Sequence, residues 1–178
     1  MTKVLEYIKP KRALGCYKII MDTYEKHSAI NTIMVLTELD KSAKIAAEYA
    51  LTLAQELKAN ILLYNSFLSQ SSPFEPLPGD TNTTYIIKNS YEYLEKEVKR
   101  LQGILSSNQL SFNPDIFYLS EEGELADNIF NVLKKESVMM IVKGGCFDHD
   151  EDDLLGNEFQ TILKRVRLPV LIVPEYGK

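Results

Sequence analysis

Five short apolar runs separated by stretches of helical periodicity constrain this chain more than any other feature. Thr32-Ile33-Met34-Val35-Leu36 is a continuous apolar run of the kind that is buried on both faces of a parallel sheet. Asn60 to Tyr64, a weaker segment near Asp115 to Leu119, Val138 to Val142 and Pro169 to Pro174 follow at intervals too long for hairpins. Between them lie four amphipathic patterns. Lys41 to Lys58 carries Ala43, Ala46, Ala47, Ala50, Ala54 and Leu57 on one stripe, small residues that let a helix lie close on a sheet. Tyr85 to Leu105 and Glu124 to Lys135 repeat the spacing, and a fourth helix carries Leu155, Phe159, Ile162, Leu163 and Val166. Strict alternation predicts an α/β fold: three layers, with a five-stranded parallel doubly wound sheet between helices. In such sheets ligands bind beyond the carboxyl ends of the strands, at the point where the strand order reverses. Two turns are thereby nominated, 37–40 and 143–157.

The rest of the chain narrows the classes. At 178 residues the length suits one domain with a proper core. No apolar run approaches the roughly 18 residues of a membrane span, so no integral membrane segment is expected. The first residues lack a continuous apolar h-region and a small-residue cleavage site, which points to a cytoplasmic location. Two cysteines, Cys16 and Cys146, are too few for a disulfide framework. A net charge of −5 argues against a general nucleic-acid partner. Residues 1–30 differ from the remainder, with six cations against three acids and Leu14, Tyr17, Met21 and Tyr24 on one helical face. They read as a basic N-terminal extension, an accessory helix packed on the 31–178 domain or across an oligomer interface. The alternative reading is an amphipathic segment against an acidic surface such as a membrane. Residues 68–84 form a breaker-rich loop, a candidate lid or binding loop.

Catalytic signatures are missing. There is no GxGxxG after the first strand, no GxxxxGK[ST] and no GxSxG. The two histidines, His27 and His149, leave little for a triad. Cys146 lies three residues from His149, but acidic neighbours raise a thiol pKa and suppress the nucleophilic thiolate. No catalytic residue is therefore assigned. The run Asp148-His149-Asp150-Glu151-Asp152-Asp153 offers Asp148, Asp150 and Asp152 as oxygen ligands for Mg²⁺ or Ca²⁺. It lacks the glycine and spacing of an EF-hand, and a solvated acidic loop is the simpler reading.

Read together, the two nominated turns carry a resemblance. Thr32 to Ala54 (TIMVLTELDKSAKIAAEYALTLA), Gly123 to Ile129, Met140 to Val142, Leu154-Leu155-Gly156 and Leu168 to Pro174 resemble segments of the universal stress protein family, in order and at matching intervals over about residues 31–175. The resemblance implies a fold of the adenine nucleotide alpha hydrolase-like type and a homodimer paired through the last strand, about 169–174. It also implies a crevice between the first and fourth strands in which many members bind ATP. There an acidic residue after the first strand holds the adenine end, and a G-x-x-G-x9-G-[ST] loop wraps the phosphates through backbone N–H groups.

Carried onto this chain, the nucleotide site would comprise Thr37, Glu38, Lys143, Gly144, Gly145, Gly156 and Asn157. It is degenerate. Glu38 stands for the usual Asp, Asn157 replaces the hydroxyl residue, and Lys143 and Cys146 occupy the first two glycine positions. From Lys143 to Glu158 one cation faces six acids. Each close like-charge pair with a triphosphate costs roughly 1 kcal/mol even in water, against the half charge of a helix N-terminus. The expectation is a non-enzymatic regulatory homodimer acting in stress response through a protein partner, with weak or no ATP binding and no cofactor. The alternative is an ATP- or AMP-binding switch with slow ATPase activity and Mg²⁺ held by the acidic loop. A phospho-acceptor receiver domain fits less well, since Leu119-Ser120 and Pro174-Glu175 stand where an acceptor Asp and a Lys are needed.

Overall fold

The computed structural model describes residues 31–68, 81–107, 112–145 and 156–175. The N-terminal extension, most of loop 68–84 and the acidic run with Cys146 and His149 lie outside the described residues. Among the described residues five strands and four helices alternate: β1 (Thr32–Leu36), α1 (Lys41–Leu57), β2 (Asn60–Phe67), α2 (Thr81–Ser107), β3 (Ile116–Glu122), α3 (Leu125–Leu133), β4 (Val138–Gly145), α4 (Gly156–Arg165) and β5 (Val170–Pro174). All neighbouring strands are parallel, in the order β3-β2-β1-β4-β5. The three-layer doubly wound expectation is borne out, and the order reverses between β1 and β4.

Two cores follow from the pleat. Ile33, Val35, Ile61, Leu63 and Val142 face one way, against the alanine stripe of α1 and Leu94, Val98 and Leu101 of α2. Met34, Leu36, Leu62, Tyr64 and Ile141 face the other way, against Ile129 and Val132 of α3 and Phe159 and Ile162 of α4. Alternate residues of the central strands thus belong to different cores, which is why those strands read as unbroken apolar runs. Leu57, expected on the inward stripe of α1, is exposed, and Leu51 is buried in its place. Leu57 is the last helical residue, next to the left-handed Lys58 that caps α1.

Three strands run further at their carboxyl ends than the sequence expectation, and α2 begins at Thr81, inside the stretch expected to be loop, rather than at Tyr85. β2 runs on through Asn65, Ser66 and Phe67 because β3 also continues and pairs Ser120, Glu121 and Glu122 with them. Lys143, Gly144 and Gly145, expected to begin a loop, are the last three residues of β4, held by pairing with Ile172, Val173 and Pro174 of β5. β1 stops at Leu36. A short central strand between longer neighbours leaves a notch above its end, and this notch is the switch point.

Helix α1 begins beside that notch and sits unusually low. A Cβ at Gly144 would lie 2.5 Å from the carbonyl carbon and oxygen of Ser42. Glycine is needed here for the close approach of a helix backbone to a strand. Gly103, on the outer part of α2, has nothing within 4 Å. Gly144→Ala should therefore destabilise the domain by about 1–3 kcal/mol, while Gly103→Ala stabilises it by about 0.5–1 kcal/mol. Urea unfolding midpoints of the two variants measure both signs.

Candidate functional site

The turn after β1 is built from its own side chains. Thr37 donates its backbone N–H to the Tyr64 carbonyl at 2.8 Å, the last sheet-like bond of β1. Its hydroxyl oxygen then accepts from the Leu39 N–H at 3.1 Å, closing a short turn that holds Leu39 at φ +64°. Asp40 is the N-cap of α1: its carboxylate accepts from the Ala43 N–H at 2.8 Å and from the Ser42 hydroxyl at 2.9 Å. Asp40 is thus committed to the helix, and Glu38, projecting between the Thr37 bond and the cap, is the acid turned to the notch.

Glu38 meets Lys143 there. Lys143 is paired in register with Leu36, the last residue of β1, so its side chain rises on the α4 side of the sheet directly beside the notch. Its ammonium lies 2.5 Å from Glu38 Oε1 and 5.7 Å from the centre of the Phe159 ring. The two partners differ in exposure: the Lys143 side chain is 10% exposed and that of Glu38 65%. The carboxylate comes to a largely buried ammonium from the solvent side, and the Phe159 face adds a cation–π contact beneath it. Gly144 and Gly145, also buried, point no side chain into the crevice, and Gly144 is occupied with the backbone of α1. Gly156 and Asn157 form the first turn of α4. Across the notch the Lys41 ammonium pairs with Glu175, and the Glu175 N–H donates to the Gly145 carbonyl at 2.9 Å.

The floor on the α2 side is a buried polar network that the sequence reading missed. Asn65 donates its amide to the Thr37 carbonyl at 2.8 Å. Its side-chain oxygen accepts from the hydroxyls of Ser90 at 2.9 Å and Ser120 at 3.2 Å, and the two serines lie 2.6 Å apart. The Tyr91 hydroxyl donates to the Ser120 carbonyl at 3.0 Å. Buried groups satisfied in this way stiffen the site, linking the turn after β1 to β2, β3 and α2. On the α3 side the Tyr64 hydroxyl donates to Glu121 at 3.1 Å. Burial, reinforced by the Glu121 charge, pushes that hydroxyl far above the ordinary tyrosine range, so it stays protonated. The signal for this network was the polar residue standing straight after each apolar run: Asn65 after β2's, Ser120 and Glu121 after β3's.

Among the described residues no group of three His, Cys, Asp or Glu side chains could hold a metal ion. Asp148, Asp150 and Asp152 lie outside them. No described helix is long and apolar enough to cross a membrane.

No family model matches the sequence, and no curated protein matches it. Solved structures do. The universal stress protein UspA from Lactobacillus plantarum superposes with a TM-score of 0.63 at 13% identity, covering 82% of this chain and 99% of that one. A universal stress protein in complex with cAMP gives 0.55 at 17% identity, covering 84% and 100%. One from Archaeoglobus fulgidus in complex with dAMP gives 0.54 at 14% identity, covering 81% and 97%. At these identities the likeness concerns the backbone rather than the site. Together with the strand order and the four helices, it establishes that the chain has the universal stress protein fold.

Proposed function

We propose that the chain is a regulatory protein of the universal stress type: a non-enzymatic cytoplasmic homodimer with weak or no ATP binding, acting through a protein partner. The observation that carries this reading is the Glu38–Lys143 pair. In the resemblance, Glu38 is the residue for the adenine end and Lys143 the first glycine of the phosphate loop. Here the two neutralise each other across the notch. A nucleotide entering it would have to separate them, while the six acids of 143–158 oppose its phosphates. The dimer reading is supported by β5, an edge strand with four consecutive apolar residues, Val170 to Val173, and its outer edge without a partner strand among the described residues.

A second reading, an ATP- or AMP-binding switch using a divalent metal held by the acidic loop and turning over ATP slowly, draws support from the neighbours solved with cAMP and dAMP. Thermal-shift titration with ATP, with and without Mg²⁺, separates the two. The first predicts no saturable shift in either series; the second predicts a shift of RT ln(1+[L]/Kd) with Mg²⁺. Light scattering at tens of micromolar should give twice the chain mass, and a monomer would remove the dimer from the proposal.

The pair itself predicts an asymmetry. Glu38→Gln leaves a buried ammonium without its counter-charge and should cost about 1 kcal/mol, lowered by the solvent reaching the carboxylate. Lys143→Met keeps an unbranched chain of similar volume over Phe159 and releases Glu38 to water, so it should be nearly neutral. Denaturant unfolding of both variants checks the order.

A further inference from the structure

The face of α3 and α4 turned away from the sheet carries a second feature, at the opposite end of the domain from the notch. Both helices run back from the carboxyl to the amino ends of the strands, and cations collect where they finish. Lys134 and Lys135 follow α3; Lys164 and Arg165 form the last turn of α4; Arg167 precedes β5. All five are exposed, and among the described residues no carboxylate lies within ion-pair distance of any of them. Two helix C-termini carry about half a negative charge each. That accounts for one of the five cations. Among the described residues the carboxylates near the cluster are Asp127, on the same helix, and Glu136, whose charge is disfavoured by burial and favoured by Lys135.

Beside this cluster the two helices leave an open depression of about 680 Å³, lined by Asp127, Phe130, Asn131, Leu133, Lys134 and Arg165. Its apolar part is formed by Phe130 and Leu133, both half-buried against the α3–α4 core. The Arg165 guanidinium carbon lies over the Phe130 ring, 4.9 Å from its centre. A cation–π contact of this kind restrains the guanidinium and leaves N–H groups to meet a carboxylate.

We infer that this depression is a docking site for an acidic peptide segment of a partner protein, one with an apolar side chain to cover Phe130 and Leu133 and carboxylates to meet Lys134 and Arg165. Charge complementarity selects this occupant. A nucleic acid is a poorer fit: the chain as a whole carries −5, which repels a long polyanion, and Arg165 already covers the Phe130 face on which a base would stack. The site is separate from the switch-point crevice. It gives a location to partner binding and does not depend on whether nucleotide binds or the chain dimerises.

Fluorescence anisotropy of the full-length protein with a short labelled peptide, glutamates and aspartates around a central Leu-Phe pair, tests this. Saturable binding is expected, weakening with salt. The double variant Lys134→Gln/Arg165→Gln should weaken it about tenfold. Both side chains are exposed, so the variant should stay folded, with a urea midpoint lowered only slightly from the parent's. Lys96→Glu, an exposed position on α2, should leave binding unchanged. Any one of four results overturns the inference: no saturation, equal affinity for the same peptide with the Leu-Phe pair replaced by serines, equal affinity for single-stranded RNA, or an equal loss in Lys96→Glu. Each would leave the thermal-shift and light-scattering outcomes untouched, so failure here is distinguishable from failure of the regulatory reading.

Discussion

The seating of α1 on the sheet sets the geometry of everything at the switch point. The stripe Ala43, Ala46, Ala47, Ala50 and Ala54 puts no bulk between the helix and strands β1 and β4. Gly144 removes the last obstacle by leaving space for the Ser42 carbonyl. With the first turn of α1 that low, only four residues, Thr37 to Asp40, connect it to β1. They must turn tightly. The turn therefore spends Thr37 and Asp40 on its own hydrogen bonds and leaves Glu38 as the projecting side chain. A longer connection or a higher helix would let Glu38 go elsewhere.

What Glu38 then finds is a charge that the sheet has buried. An ammonium at the end of a parallel strand, beneath one helix and beside an apolar neighbour, loses most of its hydration and is retained only with a partner. Lys143 has two, the Glu38 carboxylate and the Phe159 ring. The same position in a glycine-rich loop would offer backbone N–H groups to a phosphate. Here it offers a cation already satisfied from within the chain. The fold is shared with proteins solved with adenine nucleotides, and the residues at its ligand end are arranged for internal neutrality.

Much of the architecture was legible in the sequence. β1 and α1 were readable to within a residue, since an unbroken apolar run of this length suits a buried strand and the alanine periodicity suits a helix laid on a sheet. The ends of β2, β3 and β4 were not. Asn65, Ser120, Lys143 and Gly144 have poor strand character, and their extended conformation comes from partners distant in sequence: Asn65 from Ser90 and Ser120, Lys143 from Ile172. The place of the switch point was legible, because doubly wound topology dictates where strands finish. Its chemistry was not. Glu38 and Lys143 are 105 positions apart, and nothing local to either residue signals that they meet.

The left-handed Leu39 has a consequence for how the crevice can respond. A leucine at φ +64° sits in a conformation that costs roughly 1–2 kcal/mol outside glycine. It is maintained by anchors at both sides, Thr37 clamped by Asn65 and Asp40 clamped to α1. If the grip of Glu38 on Lys143 is released, the anchors stay put and the peptide units around Leu39 are the ones free to relax.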